Sequence, residues 1–182
     1  VQGDTVEGLG NPWEIVVSGE LAYVADNTKG IVVLDVSTPS APTIVTEVAA
    51  AGAVQDIALG DGVLYAAVGA AGIETFDLAS PSSPQSLGTI DYGPPIVAVS
   101  ASGDHLWAAN HEDVVALDIS NPSSPVSLGA QYTDEWAMSV HAVGEQAYVA
   151  NWGKVERYTV DASPPAPEAD PNPSDLYFYE GS

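Results

Sequence analysis

Nine residues recur three times with little change: "LDVSTPSAP" from Leu34, "FDLASPSSP" from Phe76 and "LDISNPSSP" from Leu117, spaced by 42 and then 41 residues. A segment that returns at a fixed interval is one supersecondary unit that cannot bury its apolar face alone, so several must stack. A second marker keeps the same phase. Tyr23 of "LAYVADN" aligns with Tyr65 of "LYAAVG", Trp107 of "LWAANH" and Tyr148 of "AYVANW", at intervals of 42, 42 and 41 residues. Four residues before three of these aromatics stands a glycine (Gly19, Gly103 and Gly144), and the second copy has Gly60 and Gly62 instead. The repeat therefore has four copies.

Within a copy the texture is β. "EIVVS", "LAYVA" and "IVVLDV" are short runs rich in Val, Ile and aromatics, set between Gly, Asp, Pro and Ser. "TIVTEVA" is more polar, as an outer edge strand should be. No stretch has a capped apolar period of 3.6 residues. Four short strands per copy is the blade of a β-propeller. The expected fold is all-β, a propeller of four-stranded antiparallel blades with about four blades in this chain. They form either a closed four-bladed ring or part of a larger one.

The recurring nonapeptide reads as the turn from third to fourth strand. Asp35, Asp77 and Asp118 are placed to accept hydrogen bonds from the amides that follow. Pro39, Pro81 and Pro122 fix φ and stop strand pairing. Calcium ligation by these aspartates is the competing reading, but their spacing lacks an Asp-x-Asp-x-Asp loop. The pair "AYVAD…GIVVLDVS-P--P" resembles the LVIVD repeat, and the resemblance runs over residues 8–161. It weakens in the fourth copy, where Thr159 replaces the aspartate and "DASPPAP" replaces "SNPSSP". The resemblance implies a propeller in an exported or cell-envelope setting and carries no catalytic residues.

The ends of the chain suggest a closure. Val1–Val6 aligns with a fourth strand, whereas the last copy supplies three strands, about Ala137–Val143, Gln146–Asn151 and Val155–Val160. One outer strand and three inner ones would complete a blade, making 1–161 a propeller; a second chain completing a larger ring is the alternative. Residues 162–175, "ASPPAPEADPNPSD", hold five prolines and three carboxylates and read as an acidic linker. Residues 176–182 read as a short terminal strand, "LYFYE", or the start of a further domain.

Charge restricts the partners. Twenty-five acidic residues face three basic ones, Lys29, Lys154 and Arg157, for a net charge of −22. Nucleic-acid binding needs clustered Lys and Arg, which this chain cannot supply. Anionic membrane surfaces would repel it, and no apolar run reaches the roughly 18–20 residues of a membrane span. The absence of cysteine excludes disulfides and thiolate chemistry. No cofactor is expected; a divalent cation such as calcium is compatible with such a surface, with no metal-ligand set assigned.

The loops between second and third strands, and between copies, differ in every repeat, and variable loops on a repetitive scaffold are where recognition is grafted. On that face fall the expected binding residues Trp13, Glu14, Asp26, Asp56, Tyr92, His111, Glu112, Asp113, Trp136 and Trp152. For the tryptophans the plainer reading is packing between blades. "NHED" (Asn110–Asp113) is the one compact metal-competent cluster. The sequence lacks the G-x-S-x-G, H-E-x-x-H and phosphate-loop signatures. The expectation is a non-catalytic exported propeller that binds a protein or glycan. The alternative is a propeller lyase or hydrolase, or a propeller fused to a catalytic domain beyond Ser182.

Overall fold

The structure, a computed structural model, describes residues 5–160. The segments 162–175 and 176–182, and most of the expected strand Val1–Val6, lie outside the described residues. Within residues 5–160 every regular element is a strand, and every pairing is antiparallel. The first sheet is β1 (Pro12–Ser18), β2 (Leu21–Asp26), β3 (Gly30–Asp35) and β4 (Thr43–Val48), paired in chain order. The second repeats this order with β5 (Asp56–Gly60), β6 (Val63–Ala67), β7 (Ile73–Asp77) and β8 (Gln85–Ile90).

The third sheet departs from the expected pattern of separate four-stranded blades. It has six strands: β9 (Ala98–Ser102), β10 (His105–Ala109), β11 (His111–Asp118), β12 (Val126–Val143), β13 (Gln146–Asn151) and β14 (Val155–Thr159). The 18-residue β12 serves twice. Its first part pairs with β11 from Val126 to Tyr132, and its last part pairs with β13 from Ala137 to Val143. The cause is local. The connections after β4 and β8 contain Gly52 and "GPP" (Gly93–Pro95), whereas "YTDEW" (Tyr132–Trp136) has neither breaker, so the strand continues. Four units still follow one another: β1–β4, β5–β8, β9 to the first part of β12, and the last part of β12 to β14.

Cross-strand partners share a face, and this period of two makes each unit two-sided. Tyr23 lies opposite Val16 and Val33, and that face packs on Ile57, Leu64 and Phe76 of the second unit. Tyr65 packs likewise on Val99, Leu106 and Leu117, and Trp107 on Val140, Ala147 and Val149. Most of the core is therefore three interfaces between units, each centred on one repeat aromatic; the third lies between the two halves of the six-stranded sheet, and a smaller cluster of Ala22, Val24, Val32 and Leu34 backs the first sheet. Burying such a ring contributes about 1.5–3 kcal/mol.

The turns from third to fourth strand are tied alike. The amides of Ser37, Ala79 and Ser120 donate to Asp35, Asp77 and Asp118 at 2.8, 2.9 and 2.8 Å. Across the first interface the Tyr23 hydroxyl donates to the Pro81 carbonyl at 3.0 Å. Gly30 and Gly72 hold φ of 90° and 85° where the end of the outer strand passes close by. A Cβ at Gly72 would stand 2.0 Å from the Ile90 carbonyl oxygen.

Candidate functional site

The first strand of each unit starts at the same end of the molecule, and these four starts surround a cavity of about 340 Å³. Its lining follows the repeat. Trp13, Gln55, Val97 and Met138 occupy one equivalent position, and Glu14, Asp56, Ala98 and Ser139 the next. His111 completes the wall from the β10–β11 turn.

Asp56 is the most perturbed acid here. Burial pushes its carboxyl up to about 6, the nearby Glu14 adds to this, and hydrogen bonds from the Val99 and Ile57 amides oppose it. Those amides donate to Asp56 at 2.8 Å each. The carboxyl thus changes charge near neutral pH inside the cavity, a property found at functional sites and in structural networks alike.

His111 is held in the left-handed region at φ 75°, where the second unit has Gly69 at φ 58°. Asn110 enforces this turn. Its Oδ1 accepts from the Glu112 and Asp113 amides at 3.0 and 2.7 Å, and its own amide donates to the Asp113 carbonyl at 3.1 Å. Such a backbone state in an L-residue is strained by about 1–2 kcal/mol. The His111 Nδ1 atom is buried and has no hydrogen-bond partner among the described residues.

Outward from His111 the aromatics stack in series. The His111 and Trp136 rings lie 4.9 Å apart and tilted by 30°, and Trp136 and Trp152 lie 5.3 Å apart and within 5° of parallel. Trp152 is 72% exposed, so its outer face is free surface. Lys154 lies on the same loop and bridges Glu156 at 2.7 Å and Asp134 at 3.5 Å.

Trp13, Glu14, Asp56 and His111 line the cavity together, with Trp136 and Trp152 stacked beside it. The other expected residues lie elsewhere or face other tasks. Asp26 is fully buried and accepts from the amides of Gly10, Asn11, Thr28 and Lys29 and from the Thr28 hydroxyl. Burial alone would raise its carboxyl, but the Asn11, Thr28 and Gly10 bonds outweigh it and hold Asp26 well below the usual carboxylate range. Asp113 closes the Asn110 turn, and Glu112 is exposed on β11 with its carbonyl accepting from the Thr133 hydroxyl at 3.0 Å. Tyr92 is half-buried against the second interface. Val97, Met138 and Ser139 escaped the sequence reading; the offset they share with Trp13 and Glu14 in the repeat was the signal. Among the described residues no three His, Asp or Glu side chains converge as a metal site.

Comparison with known proteins agrees with the repeat. The LVIVD repeat matches residues 9–50 and 97–133. No curated protein matches the chain. Among solved structures, the computationally designed Ika8 protein superposes with a TM-score of 0.69 at 12% identity, over 86% of this chain and 48% of that one. The present chain thus spans about half the length of Ika8. The computationally designed Ika4 protein superposes with a TM-score of 0.68 at 12% identity, over 88% of this chain and all of the other. At that identity the likeness concerns the fold alone. The chain carries the LVIVD repeat, matched in its first and third units.

Proposed function

We propose that the four units are blades of a β-propeller scaffold, exported from the cell, whose axial cavity and flanking tryptophans bind a neutral glycan without chemistry. The observation that carries this reading is the His111–Trp136–Trp152 stack beside a cavity holding Glu14 and Asp56. Apolar ring faces suit the C–H faces of a sugar, and carboxylates accept its hydroxyl protons. A net charge of −22 disfavours an anionic ligand at the same place.

The test is titration of the chain with neutral oligosaccharides, read by tryptophan fluorescence and calorimetry. Trp152→Ala is expected to weaken binding about 10-fold or more, because exposed tryptophans at recognition sites commonly contribute this much. Binding of a basic protein segment with no response to any glycan would replace the glycan with a protein partner. The enzymatic alternative keeps one supporting observation, the raised Asp56 carboxyl sharing a cavity with Glu14 and His111. Turnover of a bound oligosaccharide that Asp56→Asn abolishes would favour it.

A further inference from the structure

The repeat makes the two ends of the array unlike its middle. Ile15 is 52% exposed, whereas its equivalents Ile57, Val99 and Val140 are 3%, 4% and 6% exposed. At the other end Tyr148 is 44% exposed, whereas Tyr23, Tyr65 and Trp107 are at most 1% exposed. In every internal interface the aromatic of one unit covers the Ile or Val of the next. Ile15 and Tyr148 are therefore the unmatched halves of the same interface, and the last unit does not cover the first.

Val6 adds an independent sign. It packs on Ala22, Val24, Val32 and Leu34 of the first unit. One repeat later the equivalent residue is Val48, the last residue of β4, and two repeats later it is Ile90, the last residue of β8; both pack on the unit that follows. Val6 thus sits where the fourth strand of a preceding unit would end. The last unit, conversely, has three strands and, among the described residues, no fourth beyond β14.

We propose that a second copy of this chain occupies both ends, the Tyr148 face of each copy docking on the Ile15 face of the other to close a ring of two. The proposal rests on reading the units as blades. Charge favours a second copy of this chain as the occupant. Of its three basic residues, Arg157 lies in the last unit opposite Tyr148 on the open face, whereas Lys154 is engaged by Glu156 and Asp134. The opposite end exposes Glu7 and Glu20. A head-to-tail contact either closes or grows without limit. Closure by two is the smallest ring such a contact can make, and it leaves neither face open.

The experiment measures the mass of the full chain in solution by light scattering, with Ile15→Asp and Tyr148→Asp as variants. Both residues are exposed in the single chain, so each variant should keep the wild-type circular dichroism spectrum. The wild type is expected at twice 18.7 kDa. Each variant should associate about 30-fold or more weakly. Mixing the two should restore association, because one good Tyr148 face then meets one good Ile15 face. A monomeric wild type at high micromolar concentration would overturn the proposal, as would variants that associate normally. A mixture without recovery would also overturn it, since it indicates contact between like faces. So would a monomer that pairs only after removal of residues 161–182, which would assign the face to the chain's own tail. Glycan binding by the same monomer would leave the preceding functional reading standing.

Discussion

Asp26 and Asp56 are carboxylates in neighbouring units with opposite energetics. Asp26 is buried among donors, so its ionised form stabilises the fold. That contribution is present above the ordinary carboxylate range and is lost as pH falls through it towards the depressed folded value. Asp26→Ala would orphan several amides, and we expect a loss of about 3 kcal/mol or more at neutral pH, measured by chemical unfolding. Asp56 behaves in reverse. With its folded value near 6 against a free value of 3.8, the charged form is disfavoured in the folded state. Stability should therefore rise as pH falls from 7 to about 4, by at most about 2–3 kcal/mol from this group. Asp56→Asn should flatten that slope, and an unchanged slope in pH-dependent unfolding would contradict the assignment. The turn aspartates were legible beforehand because their bonds are local, reaching two residues ahead. Asp56 was legible only as a loop acid, since its shift comes first from burial beneath neighbouring units and then from Glu14, both of which sequence distance hides.

Strand-level order depends on where the backbone can turn and how closely strands pass. Gly72 and Gly62 both hold positive φ, at 85° and 79°, but differ in surroundings. A Cβ at Gly72 would strike the Ile90 carbonyl, whereas nothing lies within 4 Å of one at Gly62. Gly62→Ala should cost about 1 kcal/mol from backbone strain, and Gly72→Ala about 2–3 kcal/mol through added collision with β8. Equal costs in thermal unfolding would show that β8 yields freely. The four-copy pattern and the strand texture were readable because they recur at a fixed period with Gly and Pro between runs. The fusion of third and fourth units was not read, although "YTDEW" carries its cause. A strand that serves two units looks locally like two strands, and the missing breaker shows only against the other connections.

For the molecule as a whole, 25 acidic residues on a chain with three bases create self-repulsion that the fold must oppose. Local pairing relieves little of it: Lys29 meets Glu47 at 2.6 Å, and Lys154 serves the acids around Trp152. Salt screens such repulsion, with a Debye length falling from about 30 Å at 0.01 M to about 3 Å at 1 M. The unfolding temperature should therefore rise with sodium chloride over this range. A calorimetric scan with a flat or falling trend would mean that attractive pairs, not net charge, dominate. The continuous β12 bears on how such a chain can change in copy number. Cuts in the connections around Gly52 or Gly93 would each release a self-contained genetic cassette with its strand pairing intact. A cut between Tyr132 and Trp136 would sever a hydrogen-bonded strand, so duplication or loss of units should carry the third and fourth as one inherited block.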